Sequence, residues 1–464
     1  MTDHHDAGAL WSAAPRMSDF EALMWRIEAD ARLRSDGIML AVLDRTPDWD
    51  RVVATHAWAI ETVPRLRQRV VDDPLRLRTP AWVDTDSDLA YHLTRVRLPD
   101  GTGMAGALDI AAGLHMAPFD TARPVWQAVL VEGLPGGKAA YLIKLHHALA
   151  DATGFMQLFD ILFARGPEPA DDPQRYGVPA RPDEPAESDR LAIVRDSVDA
   201  TLGAARTVSG MTGRLLSRPG SVVDYVQSLG RVLKLPGTSS PLLANRGLAR
   251  RVRTLECPLS DLKAAGKAAG GSLNDAYLAA MLGGLGSYHA KHGSVIGDIP
   301  TALPVSLRVA GDPAGGNKFA GAYIAGPAGE PDPARRIALV GERVRAVRTE
   351  PALDYLGESA GLLSRLPAQL VTAITLRVSN ALDIQASNFP GLTRPAYLAG
   401  AHLERMYPFG PVPGSAMMAT LATHEGICCI GVTTDNQAVP DPDLLNSCMQ
   451  ESLDEVLGLA GGQK

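Results

Sequence analysis

The stretch Ala139-Ala140-Tyr141-Leu142-Ile143-Lys144-Leu145-His146-His147-Ala148-Leu149-Ala150-Asp151 decides how the chain is read. Its first seven residues form a short, largely apolar run behind Gly136-Gly137, the pattern of a mostly buried strand. Two histidines end it. Phe155, Leu158, Phe159, Leu162 and Phe163 then mark one face of an amphipathic helix, so the polar residues fall at a strand-to-helix junction. α/β proteins often place their active groups at such strand ends. Neighbouring strand residues point to opposite faces, so His146 and His147 do not look into one cleft: one is catalytic and the other structural. Imidazole, with an unperturbed pKa of about 6.5, can accept an alcohol proton and return it to a leaving thiolate near neutral pH. Asp151 either orients the imidazole or serves the structure, as a cap on the following helix or in a salt bridge with an arginine. The set lacks the H-E-x-x-H spacing, and neighbours on opposite strand faces do not easily ligate one ion, so no metal site is expected.

Working outward, Ser18 to Ala31 predicts a helix with a Ser18/Glu21 capping box, and Tyr91 to Leu98 predicts a strand. Gly166 to Asp189 is rich in proline and acid and reads as an exposed linker. From Leu191 to Leu235 the apolar residues recur at helical steps, and Arg195, Arg206, Arg214, Arg218, Arg231 and Lys234 make the segment basic. Such a stretch either rests on an anionic bilayer or packs across two domains with its arginines in solvent. A second α/β region follows Gly247. At 464 residues the chain exceeds what one core usually supports. The expected organisation is an N-terminal domain over residues 1–165, a linker and helical crossover over 166–246, and a C-terminal domain over 247–464.

A net charge of −7 argues against a broad nucleic-acid surface. Cys257, Cys428, Cys429 and Cys448 show no CxxC pairing, which suits a reducing compartment. The polar start of the chain and the lack of any run of about 18 apolar residues point to a cytoplasmic protein, with contact to a membrane surface still open. Two motifs are decoys. Gly101 to Gly106 satisfies G-x-G-x-x-G without an acidic residue at ribose distance, and reads as a glycine loop. Gly357-Glu358-Ser359-Ala360-Gly361 satisfies G-x-S-x-G without the buried strand a nucleophile elbow needs, and reads as helix.

Further blocks accompany the histidines: Pro118-Phe119-Asp120 with Arg123-Pro124-Val125-Trp126, Asn274-Asp275-Ala276-Tyr277-Leu278-Ala279, and Pro304-Val305-Ser306-Leu307-Arg308 with Gly316-Asn317. Ser387-Asn388-Phe389-Pro390-Gly391 and Met406-Tyr407-Pro408-Phe409-Gly410-Pro411 follow. Together these resemble the bacterial wax ester synthase/diacylglycerol acyltransferase family, whose hallmark is HHxxxDG. The resemblance spans Met17 to Leu457 with the blocks in family order.

It implies an α/β fold of two chloramphenicol-acetyltransferase-like domains with the active-site tunnel between them. By that analogy His147 is the general base, His146 supports it, and Asp151 points away to brace the loop. The implied activity passes a fatty acyl group from acyl-CoA, a co-substrate and not a bound cofactor, to a lipid alcohol: diacylglycerol or a fatty alcohol. Peripheral contact with the inner membrane face or lipid droplets is implied with it. Asn274 is a candidate donor to the oxyanion, with a helix N-cap as the competing reading. The alternatives are a carrier-protein-dependent, condensation-like enzyme acting on a non-lipid alcohol or amine, and a lipid-binding relative without turnover. Two departures stand out. Ala152 replaces the family glycine, a change costly only where the backbone needs positive φ. Ala416 to Thr420 and Thr423 to Gly426 stand in place of LNIT and SYDG.

Overall fold

The computed structural model describes residues 14–73, 76, 78–86, 88–176, 237–306, 319–348 and 367–461. The basic segment from Leu191 to Leu235, the Gly357–Gly361 motif, Leu307-Arg308 and Gly316-Asn317 lie outside the described residues.

Two six-stranded sheets organise the chain. The first is built around β1 (Asp36–Leu43) and β6 (Ala139–His146), which are buried at every position and pair antiparallel with Asp36 opposite His146. β5 (Trp126–Glu132) pairs with β6, and β4 (Leu93–Arg97) closes that edge in parallel with β5. The expected strand at Tyr91 begins two residues late, because Leu89–His92 form a short helical turn capped by Asp88. Arg95 and Arg97 keep the exposed edge strand from pairing with other chains.

Period-two alternation divides this sheet into two faces. Met39, Ala41, Tyr141, Ile143 and Leu145 pack with α2 (Trp49–Thr62) and with α5 (Ala152–Leu162) in one core. Ile38, Leu40, Val42 and Leu142 pack on the other side with Ala107, Leu108 and Ala111 of α4 (Gly103–Met116). The glycine motif read as a loop is one only at Gly101 and Thr102: Gly103 to Gly106 are the first turn of α4, with positive φ at Gly101 and Gly103 where the chain turns into the helix. Near the N-terminus, α1 (Asp19–Ile27) starts on the Ser18/Glu21 capping box. Residues 166–176 are docked on α2, where Arg51 Nε lies 2.7 Å from the buried Asp172 carboxylate.

The second sheet has the order β7 (Arg250–Pro258), β14 (Ile427–Asp435), β13 (Met417–His424), β10 (Ile384–Phe389), β8 (Asp298–Ser306) and β9 (Phe319–Pro327). α7 (Leu273–Lys291) is buried continuously from Asp275 to Leu285, as expected of a helix that is apolar all round. It packs between the sheet, α8 (Pro333–Arg348) and α10 (Pro442–Gly458).

The sheets are not sequential. β11 (Tyr397–Leu398) and β12 (Ala401–Phe409) come from the last third of the chain yet complete the first sheet, with β12 pairing β1 so that Ile38 faces Phe409. β12 then crosses the second sheet closely. A Cβ at Gly431 of β14 would strike the Pro408 carbonyl oxygen, so only glycine permits this approach. The result is an α/β, two-domain, chloramphenicol-acetyltransferase-like architecture whose halves meet along β12.

Candidate active site

Both histidines lie at the end of β6, but their surroundings differ. His146 is buried, and the Ala148 N–H donates to its Nδ1 at 3.0 Å. Nδ1 is therefore an acceptor, and the ring proton sits on Nε2, which donates to Glu28 Oε1 at 2.8 Å. The same Glu28 oxygen accepts from the Ser35 N–H at 2.6 Å. One carboxylate at the end of α1 thus ties the start of β1 to the end of β6. Trp25 meets the His146 ring edge-on at 5.0 Å between centroids.

His147 is half-buried, its Nδ1 fully enclosed by the protein, and its backbone N–H donates to the Ser35 carbonyl at 2.8 Å. Its Nε2 lies beside Gly37 of β1, 3.8 Å from where a Cβ would stand, with Phe155 and the Phe409 carbonyl at 3.8 and 3.9 Å from that same point. Burial, and secondarily the neighbouring His146, push its pKa down to about 4, against the opposing fields of Asp151, Asp36 and Glu28.

Asp151 caps α5, its Oδ1 accepting from the Gly154 N–H at 2.9 Å. Ala152 is the first residue of that helix and is absent from the positive-φ positions. Its Cβ therefore strains nothing in the backbone, and alanine is the better helix former. Ala152→Gly is expected to lower stability by no more than about 1 kcal/mol while leaving ester synthesis measurable. Thermal denaturation and initial rates check this, and a gain in stability would contradict it.

Beneath the histidines lies a charged cluster. Lys144 is fully buried within β6 and pairs with Asp36 Oδ2 at 3.3 Å, while His115 Nδ1 lies 3.6 Å from the same oxygen. The Lys144 ammonium also stands 4.2 Å over the Phe119 ring.

Asn274 lies elsewhere. It is exposed in the first turn of α7 and accepts a hydrogen bond from the Asn388 amide. The N-cap is Ser272, two residues earlier, which closes a capping box with Asp275. The N-cap reading of Asn274 is thereby corrected: the hydroxyl and the carboxylate take the cap, and the amide sits at the second helical position. Asn274, Ser387 and Asn388 contribute polar groups to a cavity of about 210 Å³ lined also by Leu278, Leu303, Ile324 and Val344 among others. Gly37, His147, Phe155 and Phe409 are not among the residues that line this cavity. Among the described residues, no group of three or more His, Cys, Asp or Glu side chains gathers to hold a metal.

Four of these participants escaped the sequence reading. Glu28 and Asp36 carry no local signal. Gly37 is one glycine among 45. Lys144, however, was a visible charge inside an apolar strand, and a buried ammonium demands a partner.

The histidine pair lies at a strand end where the two α/β sheets meet, and family models place the chain in a class of acyltransferases. The wax ester synthase/diacylglycerol acyltransferase catalytic domain matches residues 17–277, and the C-terminal domain of the same family matches 315–456. A Mycobacterium tuberculosis protein carrying the name diacylglycerol O-acyltransferase is 39% identical, covering 97% of this chain and 94% of its own. Another from that organism, named "Probable diacyglycerol O-acyltransferase tgs2", is 30% identical over 81% of this chain and 83% of its own. Among solved structures, the wax ester synthase/diacylglycerol acyltransferase of Marinobacter aquaeolei VT8 superposes with a TM-score of 0.64 at 18% identity, covering 96% of this chain and all of that one. The first condensation domain of the calcium-dependent antibiotic synthetase gives 0.62 at 17%, covering 97% of each. The chain belongs to the wax ester synthase/diacylglycerol acyltransferase family and is an acyltransferase.

Proposed function

We propose that the protein transfers a fatty acyl group from acyl-CoA to a lipid alcohol, making triacylglycerol from diacylglycerol or wax ester from a fatty alcohol, with His147 as general base. The observation that carries this reading is the His147 imidazole, held neutral and side-on to the gap left by Gly37. His147 Nε2 takes the proton of the acceptor hydroxyl as the oxygen bonds to the thioester carbonyl carbon. Collapse of the tetrahedral intermediate then breaks the C–S bond, and the thiolate takes the proton back from His147. No acyl-enzyme forms on this route. His146, locked to Glu28, holds the loop that carries the base, and Asp151 braces it from the first turn of α5.

Asn274 is proposed as a polar contact for substrate at the cavity of about 210 Å³ that it lines. The acceptor is an apolar molecule, so the proposed setting is the cytoplasm, at the inner membrane face or a lipid-droplet surface. No helix among the described residues is long and apolar enough to cross a membrane.

The test offers purified protein a graded series of acyl-CoA donors with diacylglycerol, hexadecanol and short alcohols, and reads products by mass spectrometry. Triacylglycerol or wax ester is the expected product. Ester or amide formed only from a carrier-protein thioester would instead make the enzyme condensation-like, and acyl-CoA binding without any product would make it a lipid-binding relative.

A further inference from the structure

Reaction at the thioester carbonyl needs a donor where negative charge gathers, and the Asn274 side-chain oxygen is already engaged with the Asn388 amide. A second candidate donor lies on β13, which packs against β12. On β13, Met417, Ala419 and Leu421 face the core of the second half, so Met418, Thr420 and Ala422 face the other way, and Ala422 packs in the core of the first sheet. Thr420 is 4% exposed, and among the described residues its Oγ1 has no hydrogen-bond partner. A buried, unbonded hydroxyl costs stability, and groups of that kind ask for an explanation.

The glycines supply one. β1 and β12 run antiparallel with Ile38 opposite Phe409, and Gly37 and Gly410 are the next residues on either chain, the Phe409 carbonyl oxygen lying 3.9 Å from where a Gly37 Cβ would stand. The side-chain position at Gly37 has only ordinary van der Waals neighbours, whereas that at Gly410 is taken by Met418 and Thr420. The position at Gly37 lies 3.8 Å from His147 Nε2, and the position at Gly410 lies 3.0 Å from Thr420 Oγ1. The base thus stands at the Gly37 position and the hydroxyl at the Gly410 position, on the two strands joined by the Ile38–Phe409 pair. Met418 Cγ, 2.9 Å from the Gly410 position, fills the space there with a flexible thioether chain that a bound carbonyl has to displace.

We propose that Thr420 is a further catalytic residue, its hydroxyl donating the hydrogen bond that stabilises the oxyanion opposite His147. This rests on the reading of His147 as base. As the acceptor O–H gives its proton to His147 Nε2, its oxygen bonds to the carbonyl carbon and the C=O π pair moves onto oxygen, where the Thr420 O–H meets it. Re-forming C=O expels the CoA thiolate, which takes the proton from His147. Thr420 keeps its own proton throughout.

The experiment compares Thr420→Val and Thr420→Ser with the wild-type chain, using palmitoyl-CoA and the acceptor alcohol that gives product. Loss of one oxyanion donor typically costs about 10²–10³ in kcat. T420V is expected to show that loss with KM within a few-fold, an unchanged acid limb of the pH–rate profile, and a melting temperature no lower than wild type. T420S is expected to recover most of the rate. Wild-type kcat in T420V overturns the proposal, as does a loss that tracks a fall in melting temperature and is not restored in T420S.

Infrared spectra of bound palmitoyl-CoA labelled with ¹³C at the carbonyl read the same hydrogen bond without turnover. The thioester band is expected at higher wavenumber in T420V than in wild type, and coincident bands overturn the assignment. A wild-type chain that shifts this band yet forms no ester fails the acyl-transfer reading and leaves the Thr420 contact standing.

Discussion

Replacing His147 with alanine is expected to lower kcat for ester formation by about 10²–10⁴-fold, the usual worth of a positioned general base, with little change in KM for acyl-CoA. The imidazole Nε2 stands 3.8 Å from where a Gly37 Cβ would be, so truncation removes a ring beside a residue that has no side chain of its own. Initial rates with radiolabelled acyl-CoA measure the effect. Wild-type rates in the variant would remove His147 from the chemistry.

The pH dependence follows from the same residue. Its pKa is pushed down to about 4 by burial, then by His146, so the neutral base is present from about pH 5 upward. The acid limb of the rate is expected near pH 4 and not near 6.5. An imidazolium formed during turnover is sustained by the fields of Asp151, Asp36 and Glu28, which favour the charged ring. The stability consequence has a definite sign. Between about pH 6.5 and 4 the unfolded chain binds a proton that the folded chain refuses, so this group withdraws stability as pH falls through that window and adds no pH dependence above it. Histidine NMR titration checks the value, and an ordinary midpoint near 6.5 would contradict it.

What could be read from sequence here was local in sequence. The β6–α5 junction, the capping box at Ser18 and a structural role for Asp151 each depend on residues within a few positions of one another, and periodicity or cap chemistry reports them directly. Ser272-Leu273-Asn274-Asp275 also carried its cap in plain sight, as a serine three residues before an acid. What could not be read was partner choice across distance. Glu28 reaches His146 over 118 positions, and no spacing rule spans that interval. Alternation marks Ala401–Phe409 as a strand without naming its sheet, so nothing local announces that β12 joins β1 and thereby brings Phe409 opposite Ile38, beside Gly37. The candidate site is assembled by that exchange.

The second large effect is expected beneath the site. Asp36→Ala removes the carboxylate that faces Lys144, whose side chain is fully buried and whose pKa burial already lowers against the pull of Asp36. Removing one partner of a buried ion pair leaves a desolvated charge and typically costs about 3–5 kcal/mol, a large part of the about 5–15 kcal/mol that holds a domain together. Denaturant titration should show a midpoint lowered accordingly. Asp36 lies opposite His146 in the β1–β6 register and one residue before Gly37, so catalysis should fall with stability. Pairing Asp36→Leu with Lys144→Met removes both charges at similar volume, and buried pairs replaced in this way are often neutral or better. The double variant is expected to regain most of the lost stability. Recovery would assign the cost of Asp36→Ala to the stranded ammonium. A double variant as unstable as the single one would locate it in the His115 contact with Asp36 instead.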